Sequence, residues 1–121
     1  MAAAGVWLAF SVSAWAAELI MVEQAGCAWC KRWDSEIAPI YPKTDVGQFA
    51  PLRRVDLHKM PDDLKITRRV NFTPTFLIVE DGHEIGRLEG YPGEDFFWPV
   101  LEKLLSDQAG YTIKETNLAG G

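Results

Sequence analysis

The chain reads as an α/β domain with a central mixed sheet flanked by helices, and three stretches predict it. An apolar run, Leu19-Ile20-Met21-Val22, breaks at Gly26 and gives way to the helix-like stretch Lys31-Arg32-Trp33-Asp34-Ser35-Glu36-Ile37. A strongly strand-like run, Thr73-Pro74-Thr75-Phe76-Leu77-Ile78-Val79-Glu80, meets Asp81-Gly82 and turns back. An amphipathic helix then closes the chain. Strand-forming and helix-forming segments therefore alternate, as they do in a layered α/β domain.

Each element has its own signal. Glu18–Glu23 is rich in apolar and β-branched residues and reads as a buried strand. Gln24-Ala25-Gly26 is the connection. From Ala28 a helix carries Trp29, Trp33 and Ile37 at i, i+4 and i+8, and Pro39 and Pro42 end or kink it. Lys43–Ala50 is polar, a loop or a short helix. Pro51–Leu57 reads as a second strand. Met60-Pro61-Asp62-Asp63-Leu64-Lys65 opens with proline and acids, a helix-start signal. The third strand is Thr73–Glu80, and Glu84–Leu88 is its antiparallel partner across the Asp-Gly turn. Gly90-Tyr91-Pro92-Gly93 breaks the chain before a helix over Glu94–Leu105, whose apolar side is Phe96, Phe97, Val100, Leu101, Leu104 and Leu105. Pro99 is expected to kink this helix or confine it to its C-terminal part. The first three strands, joined by helical crossovers, are expected to be largely parallel, with the hairpin adding an antiparallel edge.

Size and charge bound the function. A length of 121 residues allows one domain with one core. A net charge of −5 argues against a nucleic-acid binder, which needs a basic face. Residues 1–17 carry no charged side chain and end in the small-x-small pattern Ala14-Trp15-Ala16. This reads as a secretory signal over residues 1–16, cleaved after Ala16. The domain would then span residues 17–106 and an irregular tail 107–121. No basic residue precedes the apolar run, which would put the natural start further upstream. A membrane anchor is the runner-up, because a span needs roughly 20 apolar residues and Glu18 interrupts this one. A buried N-terminal helix is the third reading.

The chemistry centres on Cys27-Ala28-Trp29-Cys30, which holds both cysteines of the chain. A strand that turns into a helix at such a pair puts the first thiol at the helix N-terminus, where unpaired N–H groups and the helix dipole favour a thiolate. The second thiol, one turn on, is near enough to close a disulfide. A structural zinc site would need four ligands, and His58 and His83, both in polar turn-like stretches, are the remaining soft donors. A purely structural disulfide would close a very short loop and constrain the unfolded chain least. Redox use is favoured over structure, and structure over metal; no cofactor is implied. Lys31 and Arg32 follow the pair, and Arg68-Arg69 precede the Pro74 loop, so a positive patch beside the thiols stands against a reading of four solvated cations. Gly93-Glu94-Asp95 at a helix start is a weak anion site, but its acids would repel the carboxylates of glutathione.

The element order, with Cys-x-x-Cys after the first strand, Thr73-Pro74 opening the third and Gly90-Tyr91 before the last helix, resembles the thioredoxin family over residues 18–106. The resemblance implies a cis Thr73–Pro74 bond; without it, a trans proline opening a strand is the commoner arrangement. It also implies a partner peptide docked on the Thr73 backbone beside Trp29 and Pro74, with Cys27 attacking and Cys30 resolving. Two departures matter. The residues between the cysteines are Ala-Trp, not Gly-Pro. The acid buried beneath the thiols in thioredoxin aligns near Met21, which cannot transfer a proton, leaving Glu23 as a substitute or as a solvated strand-end carboxylate. Glu23 and Lys31 are the candidates for tuning the thiol pKa.

Within that superfamily, Glu23 to Cys30, followed by Trp33-Asp34 and Ile37-Ala38-Pro39-Ile40-Tyr41-Pro42, is most similar to the SoxS-type periplasmic thioredoxins of sulfur-oxidising bacteria. That implies a periplasmic reductase of partner-protein disulfides, acting on the carrier protein of the Sox thiosulfate-oxidation system, with a membrane thiol transporter as electron donor. A disulfide oxidase or isomerase on the same fold, a non-catalytic module docking partners through Trp29 and Pro74, and a metal carrier using both cysteines remain open alternatives.

Overall fold

The structure, a computed structural model, describes Gly5 and residues 17–113, so nearly all of the expected signal region and the end of the tail lie outside the described residues. Four strands, β1 (Glu18–Glu23), β2 (Leu52–Asp56), β3 (Thr75–Glu80) and β4 (His83–Glu89), form one mixed sheet in the order β2-β1-β3-β4. β1 runs parallel to β2 and antiparallel to β3. The helices are α1 (Ala28–Glu36), α2 (Asp45–Phe49) and α3 (Glu94–Ala109), with a 3-10 turn at Tyr41–Lys43. Among the described residues no helix is long and apolar enough to cross a membrane.

β1 and β3 are central and buried on both faces, which is why they read as continuous apolar runs. Leu19 and Met21 of β1, with Phe76 and Ile78 of β3, face α1 and α3, where Trp33, Tyr41 and Phe97 are fully buried. Trp33 and Phe97 lie 5.3 Å and 5.2 Å from the Phe76 ring, in the range of favourable tilted and edge-to-face contacts. Ile20, Val22, Leu77 and Val79 face the other way, beside Val55 of β2, and are covered by Leu64 and Val70.

The expected second crossover helix is absent. Residues 57–74 form turns and irregular backbone, touching the sheet at an isolated bridge between Lys65 and His83. The segment leaves the end of β2, runs down to the β3–β4 turn, and returns to the end where it began. β3 therefore starts beside the C-terminal end of β1 and must run against it, which corrects the expectation of three largely parallel strands. Pro61 and the two acids that follow it supply a helix start, but the apolar residues beyond, Leu64, Ile66 and Val70, are spent covering the sheet singly.

The last helix also differs from expectation. α3 is continuous from Glu94 through Pro99 and stops at Gly110, whose left-handed backbone at φ 75° caps it, so residues 107–109 belong to the helix. Pro99 is exposed in the second turn, where the missing N–H strands only the carbonyl of exposed Asp95. Phe97, Leu101 and Leu105 hold the helix to the sheet at i, i+4 and i+8, while Phe96 and Val100, expected on the apolar side, face solvent. In α1 the buried residues are Cys30 and Trp33, continued by Ile37 at its C-cap; Trp29, in the first turn beyond the end of β1, is 53% exposed. At the hairpin turn Asp81 and Gly82 both adopt positive φ, 50° and 78°, as an Asp-Gly connection between twisted strands requires.

Candidate active site

The site lies where β1 gives way to α1. Gly26 takes φ 78°, a conformation open to glycine, and turns the chain out of the strand. Cys27 then stands as the N-cap of α1, and its Sγ accepts the backbone N–H of Cys30 at 3.1 Å. An N-cap sulfur that already takes a helix N–H is held still better as an anion, and no acid occupies the first turn to oppose it. Cys27 and Cys30 are joined in a disulfide with Cα atoms 5.2 Å apart. Cys27 is half-buried and reachable, whereas Cys30 is 3% exposed inside the core.

The Thr73–Pro74 bond is cis, and this loop abuts the thiol loop. Gln24, which begins the turn into Cys27, donates from Nε2 to Thr73 Oγ1 at 2.9 Å. Thr75 Oγ1 donates to the Phe72 carbonyl at 2.7 Å, and the Gly90 N–H reaches the Pro74 carbonyl at 2.8 Å. Thr73 is thus fixed from both sides with Pro74 buried behind it. Trp29 flanks the pair, and the Arg32 guanidinium sits 5.4 Å from its ring, within cation–π range.

Beneath the thiols the floor is apolar: Met21 is fully buried in the cluster that holds Cys30. Glu23 does not reach into that floor. Its carboxylate takes Arg54 Nη1 at 3.1 Å, while Nη2 of the same arginine lies 2.8 Å from Asp34. Arg54 stands opposite Met21 in the β1–β2 register and 5.7 Å from the Trp33 ring. Lys31 lies one turn beyond Cys27 on the same helix face and is exposed. Of the expected cationic patch, Arg32 is paired with Glu36 and Arg68 with Glu89, so those two charges are balanced within the chain. Tyr91 donates to the same Glu36 at 2.6 Å. That hydrogen bond, helped by Arg32, holds the Glu36 carboxyl below its ordinary pKa, and the Tyr91 hydroxyl is raised by burial and by Glu36. His58 meets Gln24 near the site, but His83 sits in the β3–β4 turn at the opposite end of the sheet, so the two histidines do not converge on the cysteines.

Three nearby residues were not singled out from sequence. Gln24 ties the two loops together, Arg54 collects two acids, and Phe72 is 61% exposed just before Thr73. A large aromatic in a loop next to Thr-Pro was a legible signal; a glutamine after a strand was not.

No family model and no curated protein matches the chain. Among solved structures, it is 53% identical to the periplasmic thioredoxin SoxS from Paracoccus pantotrophus in its reduced form, over 74% of this chain and 96% of that one, with a TM-score of 0.73. A thioredoxin from Malassezia sympodialis matches at 19% identity over 73% and 74% of the two chains, with a TM-score of 0.54. A thioredoxin-fold protein from Helicobacter pylori matches at 20% identity over 86% and 78%, with a TM-score of 0.52. The last two similarities concern the fold alone.

Proposed function

The chain belongs to the SoxS-type thioredoxins and is a thiol–disulfide oxidoreductase, and on that premise we propose that it works in the periplasm as a reductase of partner-protein disulfides. The observation that carries this reading is the asymmetry of the pair: Cys27 reachable at a helix N-terminus, Cys30 buried behind it. In the reduced protein the Cys27 thiolate attacks one sulfur of the partner disulfide, and the partner's other sulfur leaves as a thiolate that takes a proton. Cys30 then gives up its proton and attacks Cys27 Sγ, releasing the partner's second thiol. The partner gains two electrons from the pair and two protons, one given up by Cys30 and one taken from solvent, and the Cys27–Cys30 disulfide remains. The Thr73 backbone, Pro74 and Trp29 hold the partner segment during attack, and Lys31 supplies a cation on the Cys27 face, while Glu23, paired with Arg54, takes no part in proton transfer.

The similarity to SoxS supports the carrier protein of the Sox system as that partner, with a membrane thiol transporter restoring the dithiol. A signal over residues 1–16 would deliver the chain to the periplasm. Ala17 is buried and β1 begins at Glu18, so cleavage after Ala16 leaves the first strand complete. The experiment is trapping in the source cell. Cys30→Ser should accumulate mixed disulfides on non-reducing gels, Cys27→Ser should not, and a Sox carrier among the adducts supports the narrow reading. Equal trapping by both variants would falsify the division of labour. A broad set of secreted adducts would point to general disulfide housekeeping, and a strongly oxidising potential in an equilibrium titration against glutathione to an oxidase.

A further inference from the structure

A groove opens next to the thiol site, on the irregular side of the sheet. Leu57, Met60, Ile66 and Val70 make its apolar floor, and His58, Arg69 and Asn71 its polar edge, around a cavity of about 260 Å³. That is below the roughly 300–1,000 Å³ of sites built for small molecules, and it suits a single side chain. The groove is continuous with the docking loop. His58 Nε2 lies 3.1 Å from Gln24 Oε1, and the amide of Gln24 donates onward to Thr73 at 2.9 Å. The Gln24 carbonyl accepts the Cys27 N–H at 3.4 Å. A chain segment lying along Thr73 therefore has this groove beside it.

Charge identifies the occupant. Among the described residues Arg32, Arg53, Arg54, Arg68 and Arg87 each meet a carboxylate of this chain. Arg69 meets none, although acids outnumber bases, 17 to 12. Its backbone is fixed, since the Arg87 guanidinium takes the Arg68 carbonyl at 2.8 Å and the Arg69 carbonyl at 3.4 Å. Its exposed guanidinium is left as an unneutralised fork at the edge of an apolar groove. An aliphatic side chain with a carboxylate next to it matches both features.

We propose that this groove is a second docking subsite, which takes an aliphatic side chain and an adjacent carboxylate from the extended segment flanking the partner protein's disulfide. It rests on the reductase reading above and adds sequence selectivity to it. The competing account is a solvated arginine beside an ordinary surface crease.

The test uses the full chain and short peptides whose single cysteine is in disulfide with 2-mercaptoethanol. A Leu-Asp pair is stepped outward from the cysteine on either side, with Ala-Asn peptides as controls and hydroxyethyl disulfide as the probe of the thiols alone. One spacing of Leu-Asp should be reduced roughly tenfold faster in kcat/KM than its Ala-Asn control, the scale of one charge-assisted contact. Arg69→Gln should remove the Asp preference and its salt dependence, and Met60→Ala the Leu preference. Both variants should reduce hydroxyethyl disulfide and the Ala-Asn peptides at the parent rate. Equal rates on all peptides by a protein that still reduces hydroxyethyl disulfide overturn the subsite alone, as does a preference untouched by both substitutions. Failure to reduce hydroxyethyl disulfide overturns the reductase reading, and the subsite with it. A concentration-dependent dimer lost in Arg69→Gln would assign the groove to a second copy and also overturn the proposal.

Discussion

On one face of the sheet α1 and α3 pack aromatic rings against Met21, Phe76 and Ile78; on the other, residues 57–74 cover Ile20, Val22, Leu77 and Val79 with aliphatic side chains and no helix. Each face carries half of the candidate site. The helical face holds the cysteines, and the irregular face delivers Thr73, Pro74 and the Arg69 groove. A helix satisfies its own backbone and needs only an apolar stripe to stay in place. An irregular segment must find a partner for each buried carbonyl and N–H. Here one ion pair ties down three of the segment's backbone groups. Arg87 and Glu84, with side chains 5% and 3% exposed, bond to each other at 2.7 Å. Together they bind the Arg68 and Arg69 carbonyls and the Thr67 N–H. The contrast teaches that the cysteines sit on a self-sufficient layer, whereas the loop and groove proposed for recognition sit on a layer stitched down at a few points.

If that is right, truncating an aromatic anchor of the helical face should have the largest effect on stability. Trp33→Ala removes a fully buried ring that touches Tyr41, Phe76 and Phe97 and should cost about 3–5 kcal/mol. Leu64→Ala on the irregular face should cost nearer 2 kcal/mol, because that cover can settle into the gap. Urea unfolding of both variants measures the difference, and equal costs would erase the distinction between the layers.

The stitch comes next. Arg87→Met leaves Glu84 buried without its cation and should cost about 3 kcal/mol. The pair also sets a pH dependence. Burial alone would raise the Glu84 carboxyl, but the bonds from Arg87 and Thr67 outweigh it and hold the pKa below the ordinary value. A carboxyl with a lowered folded-state pKa contributes stability above its unfolded pKa and loses it as pH falls through the folded one. Arg87→Met should flatten that acid limb and speed amide exchange at residues 67–69, with α1 unchanged. Exchange rising equally in α1 would show that the two layers are not independent.

Pro99 offers a smaller, opposite effect. Pro99→Ala restores the helix bond to Asp95, and the gain is reduced by the greater freedom of the unfolded chain. A net stabilisation of about 1–2 kcal/mol, read as a higher Tm, is expected on the helical face. A loss would mean that the proline ring packs usefully.

The same contrast explains what could be read in advance. β1, α1 and the β3–β4 hairpin follow from local signals: an apolar run, an N-cap position, an Asp-Gly turn. Residues 57–74 were not legible, because Met60-Pro61-Asp62-Asp63 is a sound helix start whose apolar followers are claimed one by one by the sheet. The reversed direction of β3 follows from that one misreading. Around the site, the cysteine pair and the Thr73-Pro74 loop announce themselves by residue type. The Gln24 bridge depends on where two loops meet, and the free state of Arg69 depends on which acids its neighbours have taken, so neither shows in the linear order.

The finest test compares the two carboxylates that clasp the layers. Glu84 is sequestered, but Glu36 lies at the surface, between the Tyr91 hydroxyl and Arg32. The Tyr91 hydrogen bond is the largest cause of the lowered Glu36 pKa, and Arg32 adds to it. Tyr91→Phe keeps the ring against Phe97 and deletes only the hydroxyl. The Glu36 pKa should move up toward the ordinary carboxyl value without reaching it, because Arg32 stays. Stability present above the unfolded pKa should then shrink slightly, and less of it should be lost on acidification. Glu84, on the other face, should titrate as before. Side-chain carboxyl NMR through an acid titration reads both groups in one sample. Because Arg32 still has Glu36 beneath it and Trp29 beside it, reduction of hydroxyethyl disulfide should keep its rate. A shift of Glu84 along with Glu36 would show that the two faces communicate through the sheet, and a slower reduction would show that the Tyr91–Glu36 contact helps to position Trp29 at the thiols.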